Sequence, residues 1–115
     1  MSEIDFLVGR AIVEVRDDER VVFEAGAQRE PRLYADVGNA VCTDRHGERL
    51  SVLDLGGRTV AAVSTDDGVL HIEFTDGATL RCNPDPDTEA WQVVGGNPQA
   101  LVVCLPGGEL AVWSD

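Results

Sequence analysis

His71, Glu73 and Arg81 are the residues of this chain best spaced for acid–base chemistry. On two antiparallel strands joined through Thr75-Asp76-Gly77 they share one face, His71 across from Arg81 and Glu73 across from Thr79. An imidazole and a carboxylate placed this way can pass a proton. The sequence puts no nucleophile or oxyanion site beside them, and a half-solvated sheet face carries the same residues for cross-strand pairing alone. A second group is Asp85, Asp87 and Glu89 in a proline-rich loop, followed by Trp91. Calcium requires six to eight oxygens, and this loop lacks the glycine and terminal glutamate of a helix-loop-helix site, so the carboxylates read as turn-formers or solvated groups. Cys42, Cys82 and Cys104, with His46, are chemically able to hold zinc, but no Cys-x-x-Cys spacing occurs and each cysteine sits in an apolar stretch. No metal and no cofactor is therefore expected. The candidate binding residues are His71, Glu73, Arg81, Asp85, Asp87, Glu89 and Trp91, with none assigned to catalysis.

The charge balance narrows the possible partners. The 115 residues carry 21 acidic side chains against nine basic ones, all arginine, for a net charge of -12. Such a chain repels phosphate and anionic lipid, which argues against nucleic acid and membrane surfaces. It attracts basic proteins, although solubility alone accounts for the same composition. The absence of lysine excludes a phosphate loop ending in Gly-Lys-Ser/Thr and any Schiff-base mechanism. No Gly-x-Gly-x-x-Gly and no Gly-x-Ser-x-Gly occurs. Three scattered cysteines do not make a disulfide scaffold, no apolar run is long enough to span a bilayer, and the acidic start does not resemble a signal peptide. A cytoplasmic location is the expectation.

The elements that must position these residues read as strands. Asp66-Asp67-Gly68 and Thr75-Asp76-Gly77 punctuate three valine- and threonine-rich runs. With three-residue loops at both turns, Phe74 faces Ala78, Ile72 faces Leu80 and Leu70 faces Cys82. Across the other turn Ile72 faces Ala62 and Phe74 faces Val60. That register collects the apolar residues on one face and leaves Val63, Val69, His71, Glu73, Thr79 and Arg81 on the other. Residues 11–16 and 20–25 read as a first hairpin, and Pro31 to Thr43 as one or two short strands. Residues 48–54 allow one short helix. Trp91 to Val94 returns to a sheet, and 101–105 and 109–113 form a closing hairpin around Pro106-Gly107-Gly108. Both faces of that hairpin are apolar, which predicts cover on both sides, and both tryptophans are expected in the core.

The chain also resembles itself. Leu7-Val8-Gly9-Arg10-Ala11-Ile12-Val13 through Val22 matches Leu55-Gly56-Gly57-Arg58-Thr59-Val60-Ala61 through Leu70 at a constant offset. The Gly-Arg pair at the same place in both stretches favours a duplication within one domain. Two copies are too few for a solenoid and predict two related meanders packed on each other.

Three further patterns stand in order: Phe74-Thr75-Asp76-Gly77-Ala78-Thr79-Leu80, then Pro84-Asp85 leading to Glu89-Ala90-Trp91, then Pro106-Gly107-Gly108-Glu109-Leu110-Ala111-Val112-Trp113. Together they resemble an uncharacterised family of small domains of unknown function from high-GC Gram-positive bacteria. Thr88 stands where that family often has tyrosine. The resemblance implies no established activity; an immunity-type or inhibitor role is an analogy.

These readings predict an all-β domain, with two related meanders forming a sandwich or partly closed barrel. The expected function is non-enzymatic binding of a basic protein. A small-molecule site or enzyme on the His71/Glu73/Arg81 face is the first alternative, and self-association through the closing hairpin, giving a homo-oligomer, is the second. The acidic reading carries its own test: Asp5, Glu14, Asp17, Asp18, Glu19, Asp66 and Asp67 should crowd one end.

Overall fold

A computed structural model describes residues 4–17, 19–24, 33–95 and 100–114. Ala25, Pro31, Asp18 and the side chain of Asp5, on which parts of the sequence reading fall, lie outside the described residues. The strands are β1 (Ile12–Arg16), β2 (Arg20–Phe23), β3 (Leu33–Asp36), β4 (Val41–Thr43), β5 (Arg49–Leu50), β6 (Val60–Asp66), β7 (Val69–Phe74), β8 (Thr79–Cys82), β9 (Trp91–Gly95), β10 (Ala100–Cys104) and β11 (Leu110–Ser114). No α-helix occurs among the described residues. One 3-10 turn covers Val52–Leu55, overlapping the end of the 48–54 segment expected as a short helix, whose start forms β5 instead, and a second covers Asp5–Leu7, where none was foreseen. The Val52–Leu55 turn is opened by a capping box, with Ser51 accepting from Leu53 N–H and Asp54 reaching back to Ser51 N–H.

The strands make two antiparallel sheets, in the orders β1-β2-β3-β9-β10-β11 and β5-β4-β8-β7-β6. Neither closes into a barrel. They form a sandwich whose core takes Ile12, Val21, Phe23, Leu33, Ala35, Trp91, Val93, Val102 and Cys104 from the first sheet. The second sheet supplies Cys42, Val60, Leu70, Ile72, Phe74, Leu80 and Cys82. The apolar alternation along each strand fixes which face turns inward.

The meander β6-β7-β8 keeps most of the expected register. Leu70 faces Cys82, Ile72 faces Leu80, His71 faces Arg81 and Glu73 faces Thr79. Phe74 N–H donates to Ala78 O at 2.9 Å across the three-residue loop, with Gly77 at φ +91°. The first turn differs. Asp66 pairs with Val69, so Asp67-Gly68 is a two-residue turn, with φ of +51° and +80° at its two positions. Both positive angles are what a primed hairpin turn requires. Ile72 therefore faces Val63, not Ala62. A bulge between Val60 and Ala62 restores the Val60–Phe74 pair. Val63 accordingly packs against the core and Ala62 is exposed, the reverse of the sequence expectation.

The two stretches that resemble each other meet at an antiparallel bridge between Ala11 and Thr59. Hydrogen bonds around it are reciprocal. Gly9 N–H donates to Val60 O and Gly57 N–H to Ile12 O, both at 2.8 Å; Ile12 N–H donates to Arg58 O at 2.8 Å and Val60 N–H to Arg10 O at 2.9 Å. Gly9 and Gly57 share φ +87°, a backbone that glycine adopts without penalty, which accounts for the repeated Gly-Arg. The bulges at Ile12/Glu14 and Val60/Ala62 fall at matching positions too. The sheet orders correspond as well: the hairpin after each meander (β4-β5, β9-β10) pairs with the last strand of the other meander. β11 has no counterpart.

The closing hairpin departs from expectation. β10 lies between β9 and β11, but β11 is an edge strand. Val112 and Trp113 are 47% and 55% exposed. Val112 shares the inner face with buried Val102, but the facing five-stranded sheet has no strand to lay over β11; Trp113 shares the outer face with Leu101, so of the two tryptophans only Trp91 is in the core.

Candidate functional site

Trp91 organises the end of the sandwich where the candidate residues gather. Its ring is buried, and its indole N–H donates to the carbonyl of Gly68 at 2.9 Å, so the start of β9 is tied to the β6-β7 turn. The Pro106-Gly107-Gly108 loop closes over the same turn. A Cβ on Gly68 would sit 2.6 Å from Gly108 Cα, so the two backbones touch directly. Gly107 N–H donates to Asp85 O at 2.8 Å, which fastens the proline-rich loop to this hinge. Asp85 shapes that loop by accepting from Asp87 N–H at 2.8 Å and Thr88 N–H at 3.2 Å.

Around Trp91 run three adjoining surface clefts. One, of about 300 Å³, is lined by Glu19, Asp36, Gly38, Glu89, Ala90, Trp91 and Gln92. The next continues through Gly38, Glu89 and Ala90 to Asn39, Asn83, Pro84, Asp85 and Thr88. The third continues from Glu19 and Asp36 to Arg16, Asp17 and Arg20. Since Trp91 lines the cleft with Glu19 and also bonds the Asp67-Gly68 turn, the tips of both hairpins lie at this end. Asp17, Glu19, Asp66, Asp67 and Glu89 are all exposed there. Glu14 lies outside these clefts, on β1.

The arginines at this end are already engaged. Arg20 holds Asp36 through both carboxylate oxygens, at 2.7 and 3.0 Å, and its guanidinium lies 4.2 Å over the Tyr34 ring. Gln92 donates to the same carboxylate at 2.7 Å. Partial burial by itself would raise the Asp36 pKa; the hydrogen bonds from Arg20 and Gln92, with the arginine charge, outweigh it and hold the carboxyl below its ordinary value. The bond to Asp36 likewise raises Arg20. Arg16 pairs with Glu14. The remaining carboxylates of the clefts give this end a negative field.

The trio read from the sequence keeps its expected register, with His71 across from Arg81 and Glu73 across from Thr79 on the same face. His71 and Arg81 are cross-strand neighbours and line a cleft of about 420 Å³ with Ser64, Asp66, Asp67 and Val69. Glu73 does not line it; it lies one row away beside Thr79, whose hydroxyl bonds Thr43 Oγ1 at 2.8 Å. Arg81 turns to Asn83 Oδ1 at 3.1 Å. Of the loop residues, Asp85 and Glu89 join Trp91 at the clefts, while Asp87 lines none of them. Sequence reading missed Asp36, Arg20 and Gln92 as a unit, because only the pairing β2-β3-β9 brings them into one row.

The cysteines are core residues. Burial pushes the Cys42 and Cys82 thiols up to about 11 and raises Cys104 as well, so all three stay protonated at neutral pH. Cys82 and Cys104 place their sulfurs 3.4 Å from the carbonyls of Gly38 and Gly68. Among the described residues no three His, Cys, Asp or Glu side chains converge as a metal site, and no helix is long and apolar enough to cross a membrane.

The molecule is thus an antiparallel β-sandwich with an acidic, cleft-bearing end. The chain belongs to a protein family of unknown function, DUF6188, whose model matches residues 5–114. No curated protein and no solved structure matches it.

Proposed function

We propose that this chain is a non-enzymatic binding domain whose acidic end receives a basic segment of another protein, with an inhibitor or immunity-type role as its concrete form. The observation that carries the reading is the joined set of clefts around Trp91, where Asp17, Glu19 and Glu89 are exposed while the nearby arginines are taken by Asp36 and Glu14. A field of one sign over a concave surface steers and orients an oppositely charged partner. Glu73 is not among the residues lining the His71–Arg81 cleft, which weighs against acid–base chemistry on the other sheet. The reciprocal bonds about the Ala11–Thr59 bridge support an internal duplication of one ancestral unit. Three free cysteines fit a reducing, cytoplasmic setting. The motifs around Gly77, Trp91 and Gly108 fit an origin in high-GC Gram-positive bacteria.

The test is affinity capture from the native host with the wild-type chain and with a Glu19→Arg/Glu89→Arg variant as baits. The reading expects a basic protein retained at low salt, released at high salt, and bound at least about tenfold more weakly by the variant. A captured protein indifferent to both salt and charge reversal refutes it, as does the absence of any stoichiometric basic partner.

A further inference from the structure

Among the described residues the sandwich has four edge strands, and three are protected. β5 is two residues long and carries Arg49; β1 and β6 are bulged, carry charge, and are joined through the Ala11–Thr59 bridge. Bulges, short length and charge are the usual defences of an open edge. β11 has none of them. Its sequence is Leu-Ala-Val-Trp-Ser, unbulged along its five pairs with β10, with Val112 exposed on one face and Trp113 on the other. Among the described strands, the edge strand β11 itself carries no charged side chain, in a chain of net charge -12.

We infer that β11 pairs antiparallel with β11 of a second copy across a two-fold axis at Val112, joining the two six-stranded sheets into one. The hydrogen-bond parity supports this register. Leu105 N–H bonds Glu109 O at 2.7 Å, so Leu105 and Glu109 form a hydrogen-bonded pair; Ala111 and Trp113 then turn their backbone groups to β10. Leu110, Val112 and Ser114 present theirs outward. Centring the axis on Val112 lets each outward group meet an outward group of the other strand: Val112 with Val112, and Leu110 with Ser114. A shift of the axis to Ala111 would set Trp113 against Glu109. In the Val112 register Trp113 instead lies against Ala111 of the second copy. It extends the outer-face row Val22, Tyr34, Val94, Leu101, Trp113 of its own sheet. This contact is independent of the acidic end.

Sedimentation velocity over a concentration series tests it directly. The wild-type chain is expected to form a dimer that tightens as salt screens the repulsion between two acidic copies, opposite to the salt response of a basic-partner complex. Val112→Glu sets two carboxylates together at the axis and should weaken dimerisation at least about tenfold, with melting of the dilute monomer unchanged because residue 112 is exposed. Val112→Cys should cross-link: hydrogen-bonded strand neighbours stand about 5.5 Å apart at Cα, within disulfide reach. The two thiols would lose two protons to solvent and one electron each to two equivalents of added copper(II)-phenanthroline as the S–S bond forms. Val13→Cys, exposed on the bulged β1 edge, should not cross-link. A wild-type monomer at every concentration and salt, a Val112→Cys chain that stays monomeric, or a dimer untouched by Val112→Glu overturns the inference.

Discussion

Replacing Gly68 by alanine tests the hinge on which the acidic end is built. Gly68 has φ +80°, and its missing Cβ leaves room for Gly108 Cα at 2.6 Å and Gly108 O at 2.7 Å. Alanine pays first for the left-handed backbone, about 1 kcal/mol. It must then push two backbones apart, because neither neighbouring atom belongs to a flexible side chain; overpacking of this kind costs about 1–3 kcal/mol. The same shift draws the Gly68 carbonyl away from the buried Trp91 indole, at about 1–3 kcal/mol for a stranded donor. The sum is about 3–5 kcal/mol, with the upper end lowered by relaxation. Gly57→Ala is the internal control: φ is +87° but nothing lies within 4 Å of its Cβ, so only the backbone cost of about 1 kcal/mol applies. Urea unfolding followed by the fluorescence of buried Trp91 measures both variants. A difference between them below about 1 kcal/mol would refute the argument that backbone contact, and not backbone angle, makes Gly68 necessary.

Two further outcomes are expected. Asp36→Asn removes the carboxylate shared by Arg20 and Gln92 and should cost about 1 kcal/mol at neutral pH, since both partners are partly exposed. The folded-state pKa of Asp36 lies below its unfolded value, so its stabilisation is complete above the unfolded pKa of about 3.9 and is lost as pH falls through the folded value. Wild-type and variant stabilities measured by urea titration should converge in acid; a gap that persists or widens there contradicts the assignment. The three cysteines should resist a thiol reagent in the native state at mildly alkaline pH and all react in denaturant, because burial holds Cys42 and Cys82 up at about 11. Rapid native labelling of any one would show that the core around it opens.

The all-β class and the inner face of β7-β8 were legible because alternation and Asp-Gly turns are local signals, and a one-residue slip would have put Ile72 and Leu80 in water. The error at Asp66-Asp67-Gly68 is instructive. Either loop length leaves an apolar residue facing Ile72, Ala62 or Val63, so the pattern alone could not choose. The bulge at Ala61 that pays for the shorter loop has no sequence mark of its own. Trp113 and Val112 were misread for a different reason. Periodicity reports that both faces of β11 are apolar, but cover for the inward Val112 depends on how many strands the facing sheet contains, and cover for the outward Trp113 on whether anything packs outside the sheet; both are properties of the whole fold. Asp36 and Gln92 were invisible for the same cause: β3 and β9 are distant in sequence and become neighbours only through the exchange of hairpins between sheets.

That exchange explains why the acidic end sits where it does. Each meander is completed by a hairpin from the other half of the chain, β4-β5 on β8 and β9-β10 on β3. The connections that carry these hairpins across, residues 37–40 and 83–90, supply Gly38 and Asn39 from one and Asn83, Pro84, Asp85, Thr88, Glu89 and Ala90 from the other to the same cleft. A meander pair without exchange would have no such crossing and no cleft between its connections. The cores of the two halves need only apolar residues at alternate positions, and many sequences supply those. The crossing needs more: a turn that lets Gly68 touch Gly108, an indole that reaches across to bond it, and a loop pinned by Asp85. The concentration of these demands around Trp91 makes this end of the sandwich a tightly constrained part of the fold, which is why the clefts there have a fixed shape.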